Sequence, residues 1–410
     1  MELAGLSIKH VASVIGLGLA FLLVGSAGYY LGTMTKRVCH NPSCPIQMTL
    51  NARSDFPINY QNAREEFTKA VADAGGRLES IQNPSMGPSG EALFMDFALF
   101  GNTNAKRVLV INSGTHGVEG FAGSAIQTKL LQEGIGSDLS SSVKLLMIHG
   151  INPYGMAHLR RFNEDNVDLN RNFVDHSLPK KTNKHYEELS DVIAPESISF
   201  WSEVKSWSRL LWLKSTAGEE KIKTAIEGGQ YNYPKGLFYG GTSESWSNIT
   251  IRTVLSRYLA DVNQAIIVDI HTGLGEYGDA EIILNLPEES EEFRRASVIW
   301  DRSSVKSSVD GDSASTVTGG TLKLAFSNQQ DSEIEITPAS LEFGTLPAME
   351  VFIALRAENW LHHYGDPDHP QAKRIKNSLL RAFHPGTQEW EDAVWGKGKT
   401  VIEKALLYLK

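Results

Sequence analysis

The sequence lacks basic clusters, internal repeats and low-complexity tracts. Its formal net charge is −9 over 410 residues, and no part of it concentrates lysine and arginine. A nucleic-acid partner is therefore not expected, because phosphate recognition needs concentrated positive charge. The absence of repeats argues against solenoid and fibrous architectures. With 41% hydrophobic residues, the chain can instead bury one large core or two modest ones.

Charged residues are missing from residues 11–35, and cysteine is scarce beyond them. Lys36 and Arg37 follow this uncharged segment, which is long enough to cross a bilayer as a hydrophobic helix. It is either a signal anchor, giving a single-pass membrane protein, or a cleaved signal peptide of the secretory pathway. The only cysteines, Cys39 and Cys44, would close a short disulfide loop in an oxidising lumen or carry acyl chains beside the membrane.

No linker is recognisable after residue 60. The sequence therefore predicts an N-terminal segment over residues 1–35, a polar stalk over residues 36–58 and one domain over residues 59–410. Short apolar runs predict strands at residues 92–100, 107–112, 143–149, 264–271 and 281–285. Helical periodicity marks residues 62–74, 123–132, 248–259 and 348–364. This alternation predicts an α/β fold with a mostly parallel or mixed central sheet flanked by helices.

Candidate metal ligands stand where two predicted strands end. His116 and Glu119 follow the strand at residues 107–112, and His271 closes the strand at residues 264–271. The ends of strands border the ligand crevice in open α/β sheets. Two imidazoles and one carboxylate with an open fourth position form the arrangement of catalytic zinc sites. A second pair with the same spacing, His185 and Glu188, lies in a polar stretch and is interpreted as a solvated helix face.

Other polar residues suggest substrate contacts and acid–base chemistry. The stretch at residues 149–173 is dense in polar side chains and follows a predicted strand directly. Its arginines suit carboxylates or an oxyanion, although any one of them could belong to a solvated loop. Glu342 lies between Leu341 and Phe343, so a carboxylate interrupts an apolar strand. Such a residue is either half of a structural ion pair or a catalytic group.

Five ordered motifs resemble those of one enzyme superfamily. They are THGVEGFAGSA, NPYGMAHLRRFNEDNVDLNRNF, GQYNYPKGLFYGG, DIHTGLGEYG and LEFGT. Their order resembles that of the M14-like zinc carboxypeptidases. Their amino-acid sequences look like those of the DUF2817 branch, which is related to the succinylglutamate desuccinylase and aspartoacylase group. The resemblance covers roughly residues 55–365.

The resemblance implies a role for each matching residue. It implies that His116, Glu119 and His271 bind one zinc ion and that Asp168 orients the first histidine. Asn170 and Arg171 would hold the terminal carboxylate of the substrate, and Glu342 would be the general base. Arg161, with Arg160 as the alternative, would polarise the scissile carbonyl. Digestive carboxypeptidases also carry a tyrosine shortly before the glutamate, but residues 318–340 contain none. Possible substitutes are Tyr231, Tyr233, Tyr239 and Tyr277, which no motif assigns.

The expected activity is zinc-dependent hydrolysis of an amide or peptide bond next to a free carboxylate. An N-acyl amino acid amidohydrolase of the desuccinylase type is the alternative, and an inactive membrane-tethered binding protein is the third hypothesis. The region at residues 176–247, rich in Trp and Tyr, could wall an extended cleft and so favour peptides. The oligomeric state stays open.

Overall fold

The apolar runs of the sequence form the middle of a β-sheet. The structure, a computed structural model, describes residues 56–410 except 138, 181, 316–317, 324–325 and 327–333. Within these residues the strands are β1 (Arg77–Met86), β2 (Ala92–Gly101), β3 (Arg107–Ser113), β4 (Val143–His149), β5 (Gln264–Tyr277), β6 (Ala280–Leu284), β7 (Val305–Ser307) and β8 (Glu335–Gly344). Strand β4 is buried along its whole length, as expected for a strand covered on both faces.

The described strands form one sheet in the order β1-β2-β4-β3-β5-β8-β6-β7. The central strands β4, β3, β5 and β8 run parallel to one another. Antiparallel pairing joins β1 to β2, β2 to β4 and β6 to β8. The prediction of an α/β fold with a mixed central sheet is therefore confirmed.

Helices surround this sheet. The described α-helices are α1 (Tyr60–Asp73), α2 (Gly120–Gln132), α3 (Pro153–Ala157), α4 (Lys184–Ile193), α5 (Phe200–Ala217), α6 (Glu219–Glu227), α7 (Trp246–Tyr258), α8 (Glu291–Trp300), α9 (Ala348–Tyr364), α10 (Pro370–Phe383) and α11 (Gln388–Leu409). Several begin at a residue whose side chain accepts a hydrogen bond from the first turn, such as Asn59 before α1 and Ser245 before α7.

The alternation of side chains along β5 separates structural from functional residues. Val268 and Ile270 pack into the core that α2, α8 and α11 cover. Asp269 and His271 therefore point to the opposite face of the sheet, since neighbouring residues of a strand alternate. Ser340 and Glu342 lie on that same face, because they pair in register with Asp269 and His271. The sheet thus presents a polar patch at the carboxyl ends of its parallel strands.

The prediction that His271 ends its strand is wrong. Strand β5 continues to Tyr277, and the stretch after His271 is paired backbone instead of a loop. Gly273 and Gly275 adopt φ values of +140° and +107°, and the register with β8 shifts between Gly273 and Tyr277. Glycine tolerates these angles, so the strand bends without ending. The sequence did not predict strands β1 and β7 or helices α3, α5, α8 and α10.

The predicted N-terminal hydrophobic helix and most of the predicted stalk lie outside the described residues. Among the residues that the structure describes, no helix is both long enough and apolar enough to span a bilayer. The described chain begins at Phe56, which is buried against His384 and Trp390.

Candidate metal centre

Two separate elements bring His116, Glu119 and His271 together. His116 and Glu119 lie in the tight turn between β3 and α2, where Gly117–Glu119 forms a short 3-10 helix. This turn packs against the backbone of α3, and a Cβ atom on Gly117 would lie 2.1 Å from the carbonyl carbon of Gly155. Only glycine fits there, which explains the motif THGVE. His271 reaches the same point from strand β5.

The nitrogen and oxygen atoms of this group converge. Nδ1 of His116 lies 3.0 Å from Oε1 of Glu119, and Nδ1 of His271 lies 3.0 Å from Oε2 of the same carboxylate. All three side chains are buried. One potential ligand atom from each residue lies within 4.8 Å of the others, so the group could hold a metal ion.

Both imidazoles are held from behind by carboxylates. Nε2 of His116 lies 3.1 Å from Oδ1 of Asp168, the residue to which the resemblance assigns the orientation of this histidine. Nε2 of His271 lies 2.7 Å from Oδ2 of Asp269, whose other oxygen accepts a hydrogen bond from Thr115. A carboxylate behind a histidine fixes the ring and makes it a better metal ligand. Sequence reasoning missed Asp269, although its spacing of two residues from His271 on a strand could have revealed it.

The charges of the centre favour an ionised carboxylate at Glu119. Burial alone would raise the pKa of Glu119, but the nearby charges of His116 and Arg161 outweigh it and hold the pKa well below its usual range. The pKa of Asp168 is likewise lowered, because His116 and Arg161 outweigh the effect of burial. Both carboxylates are therefore ready to accept hydrogen bonds or bind a cation.

The donor set fits a zinc ion. Zinc accepts imidazole nitrogen and carboxylate oxygen at about 2.0–2.2 Å, so its ligand atoms lie about 3–4 Å apart. Two of the observed separations are 3.0 Å and none exceeds 4.8 Å, so small shifts of the side chains bring the three atoms to such distances. Nδ1 of His116 is buried and, although it lies 3.0 Å from Oε1 of Glu119, its contacts with the described residues do not have hydrogen-bond geometry. A buried nitrogen of this kind costs free energy unless something binds it, and a cation would satisfy it.

Arg161 and Arg160 have different environments. The guanidinium of Arg161 contacts Glu119, and its Nη2 atom lies 3.0 Å from Nε2 of His116. Arg160 is 1% exposed and donates hydrogen bonds to Glu358 at 2.9 Å and to Asn166 at 2.8 Å, away from the histidines. Of the two arginines, the structure therefore places only Arg161 at the centre.

Glu342 stands beside the centre on the neighbouring strand. It pairs in register with His271, and its Oε1 atom accepts a hydrogen bond of 3.0 Å from the backbone N–H of Leu274. Burial, followed by the negative charge of Glu119, raises the pKa of Glu342 to about 7. A carboxyl group with such a pKa can exchange a proton near neutral pH.

Asn170 and Arg171 flank the centre on a short 3-10 turn. The side-chain oxygen of Asn170 accepts a hydrogen bond of 2.8 Å from the backbone of Leu322, and its Nδ2 atom lies 3.4 Å from Nε2 of His271. Arg171 donates hydrogen bonds to the carbonyl groups of Asn170 and Glu227 at 2.9 and 2.6 Å. Its Nε atom has no partner among the described residues. Both residues line the cleft.

None of the tyrosines considered as substitutes lines the cleft in the described part of the chain. Tyr231 donates a hydrogen bond to the carbonyl of Arg171, Tyr233 packs against Tyr186, and the hydroxyl of Tyr277 contacts Thr387. Tyr239 is buried in the core.

His185 and Glu188 lie on the exposed surface of α4. Their side chains are 41% and 56% exposed, and the ring nitrogen and carboxylate oxygen are 3.8 Å apart. The interpretation of this pair as a solvated helix face is therefore confirmed.

The cleft above the centre has two chemically different walls. We call one the apolar wall; it consists of Ile226, Phe238, Ala348, Val351, Phe352, Leu355 and Phe383. We call the other the polar wall; it consists of Asn285, Ser315, Thr318, Thr321, Lys323 and Ser340. Sequence reasoning missed Lys323, because no motif surrounds it. From the region at residues 176–247, the described cleft receives only Ile226, Glu227 and Phe238.

A family model described as a protein of unknown function, DUF2817, matches residues 56–397. The chain belongs to this family. The prediction of DUF2817 membership from the five motifs is therefore confirmed. No curated protein matches the sequence.

Solved structures that match this chain include the following three. Carboxypeptidase A from Helicoverpa armigera is 13% identical, with 92% of this chain and 80% of that chain covered and a TM-score of 0.42. Bovine thrombin-activatable fibrinolysis inhibitor, in complex with tick carboxypeptidase inhibitor, is 12% identical, with 83% and 98% covered and a TM-score of 0.40. An aspartoacylase family protein from Mesorhizobium loti is 14% identical, with 71% and 67% covered and a TM-score of 0.33. At these values the likeness says nothing about activity.

Proposed function

We propose that this protein is a zinc-dependent hydrolase that cleaves an amide or peptide bond next to a free carboxylate. The observation that carries this proposal is the convergence of two Nδ1 atoms on the carboxylate of Glu119. Each of the two imidazoles is held from behind by a further carboxylate, Asp168 or Asp269. This arrangement is typical of catalytic zinc sites, which keep one coordination position for water or substrate.

His116, Glu119 and His271 would hold the ion. A zinc ion in this position supplies Lewis acidity, which lowers the pKa of a water molecule and polarises a carbonyl group. Glu342 faces the same cleft from β8 and is the group placed to accept the proton of that water. The same carboxyl group then returns the proton to the leaving amine, which a pKa near neutrality permits.

Arg161 is proposed to stabilise negative charge on the substrate. In the described structure its guanidinium faces Glu119, the carboxylate that would bind the ion. A cation bound to Glu119 would repel the guanidinium, so Arg161 is expected to turn from Glu119 toward the cleft that it lines. There its planar donors can bind the carbonyl oxygen as charge develops on it.

Asn170 and Arg171 are proposed to bind the free carboxylate of the substrate. Arg171 is buried at the cleft, and two backbone carbonyl groups fix its guanidinium in place. A fixed guanidinium loses little entropy when it binds a carboxylate. Nη1 and Nη2 each donate one of these hydrogen bonds, so each keeps a second N–H that can be donated to such a group.

An N-acyl amino acid amidohydrolase is the second candidate. The cleft encloses a cavity of about 150 Å³, and only three residues of the region at 176–247 reach it in the described structure. A cavity of this size suits one residue better than an extended peptide. The proposed contacts of Asn170 and Arg171 with the substrate carboxylate serve both activities. An inactive binding protein, by contrast, would not need the proposed base Glu342 beside three potential metal ligands.

The proposal is tested by incubating the purified, zinc-loaded full chain with a mixed library of peptides and N-acyl amino acids, and reading the products by mass spectrometry. Loss of single C-terminal residues supports a carboxypeptidase, and selective cleavage of N-acyl amino acids supports the second candidate. Absence of any zinc-dependent product from a properly metallated protein would contradict both.

A further inference from the structure

Lys323 is a buried cation in the polar wall of the cleft, and neither the metal centre nor the general base needs it. The residue is 7% exposed, and its Nζ atom donates a hydrogen bond of 3.1 Å to the carbonyl of Ile283 on β6. Burial lowers the pKa of Lys323 to about 8, against the opposing influence of Asp269 and Glu342. At neutral pH the lysine still carries its charge for most of the time.

The sheet register places this lysine close to the catalytic row. Ile283 on β6 pairs with Ser340 on β8, which pairs with Asp269 on β5. The next row on the same face contains Glu342 and His271. Residues two positions apart on a strand are separated by about 6.6 Å. The row that Lys323 contacts is therefore about 6.6 Å from the row that contains Glu342 and His271, a distance that one amino-acid side chain can span.

The segment that carries Lys323 is also tied to the proposed carboxylate pocket. The backbone N–H of Leu322 donates to the side chain of Asn170 at 2.8 Å, and the N–H of Phe173 donates to the carbonyl of Gly320 at 3.0 Å. A substrate residue whose α-carboxylate binds Asn170 and Arg171 therefore has the polar wall beside it. Its side chain would meet Lys323 among hydroxyl and amide groups.

We propose that the polar wall is a subsite for an acidic side chain, so that the preferred substrates carry aspartate or glutamate as the residue with the free α-carboxylate. Lys323 supplies the charge that binds the second carboxylate, and the surrounding Thr321, Ser340 and Asn285 supply polar surroundings for it. A neutral or basic side chain gains no such ion pair. This inference rests on the proposed function, since it assigns the substrate class of the same site.

The test compares two substrates that differ only in charge. The zinc-loaded full chain is assayed with N-acylated dipeptides ending in glutamate or in glutamine. Wild type should favour the glutamate substrate by about tenfold to a hundredfold in kcat/KM, mainly through KM, as expected for one charged hydrogen bond. Lys323→Met, which keeps the length of the side chain, should reduce this ratio to about one. Lys306→Met, on the neighbouring strand β7 and outside the cleft, is the matched control and should keep the wild-type ratio.

A binding measurement separates this inference from the proposed function. Calorimetry with the zinc-loaded Glu342→Gln protein, which should not turn over substrate, compares N-acetylglutamate with N-acetylglutamine. Tighter binding of N-acetylglutamate that is lost in the Glu342→Gln/Lys323→Met double variant supports the acidic subsite even if no hydrolysis is ever found. Equal binding of the two ligands, or a glutamate preference that survives Lys323→Met, overturns the acidic subsite while leaving the hydrolase proposal standing.

Discussion

Asp269 and His271 lie two residues apart on the same face of β5, and their side chains are joined by a contact of 2.7 Å between Oδ2 and Nε2. The short spacing means that one strand supplies both a proposed metal ligand and the group that orients it. Thr115, which precedes the other histidine, donates to the second oxygen of Asp269 at 2.8 Å. The two histidines are therefore linked through one buried carboxylate.

Replacing this carboxylate should weaken metal binding without removing a ligand. Asp269→Asn keeps the shape of the side chain but loses the negative charge behind His271. The expected result is a loss of zinc affinity of about tenfold to a hundredfold, measured by competition with a chromophoric chelator. Asp175→Asn, at an exposed aspartate that does not line the cleft, is the control. An unchanged affinity in Asp269→Asn would show that the contact does not tune the metal.

The role of Glu342 can be separated from metal binding. Glu342→Gln removes proton acceptance but leaves His116, Glu119 and His271 intact. The variant should bind zinc as wild type does and lose turnover by about a thousandfold or more. Steady-state kinetics on any substrate found by the library screen, together with metal analysis, make the comparison. A kcat near that of wild type would rule out Glu342 as the general base.

The same variant should change the pH dependence of stability in the chelator-treated protein. Burial and then Glu119 raise the pKa of Glu342 from 4.5 to about 7. The folded state therefore binds the proton more tightly than the unfolded state does, and this stabilisation is complete below the unfolded pKa and is lost as pH rises through about 7. Because glutamine does not ionise, the Tm of Glu342→Gln relative to wild type should increase by about 2–4 °C between about pH 5 and pH 8. A difference that is independent of pH would contradict the raised pKa.

Much of the metal centre was predictable because its signals are local. The spacing of His116 and Glu119 after an apolar run identifies a turn at the carboxyl end of a strand, and the structure places both residues there. His271 was predicted from the same logic, although its strand extends further. That extension depends on Gly273 and Gly275, whose backbone angles a hydrophobicity pattern does not reveal.

Other features depend on long-range packing and escaped prediction. Arg160 and Arg161 are neighbouring residues of the same type, so the sequence does not distinguish them. Only the fold shows that Arg160 binds Glu358 and that Arg161 contacts Glu119 beside the histidines. Lys323 lines the cleft next to Leu322, whose backbone N–H donates a hydrogen bond to the side chain of Asn170, a residue 152 positions earlier. No local pattern in the sequence encodes such a contact.

The proposed carboxylate pocket makes a prediction about substrate form. A substrate with a free α-carboxylate should be preferred over its C-terminal amide by about tenfold to a hundredfold in kcat/KM, since a guanidinium–carboxylate contact adds a charged hydrogen bond. Arg171→Ala should erase this preference while zinc stays bound. Because Arg171 also donates to the carbonyl of Glu227, circular dichroism must show that the variant folds. Arg252→Ala, at an arginine that instead lies near Glu244, controls for the general loss of positive charge. Equal cleavage of acid and amide by wild type would remove Arg171 and Asn170 from this role.

The zinc content of the purified full chain tests the central claim most directly. Elemental analysis after zinc loading and removal of excess metal should find about one zinc ion per chain in wild type and in His185→Ala, which alters the exposed histidine of α4. His116→Ala and His271→Ala should each fall far below that ratio, because two ligands do not hold the ion tightly. Full zinc occupancy in the His116→Ala and His271→Ala proteins, or none in wild type, would contradict the assignment of the metal centre.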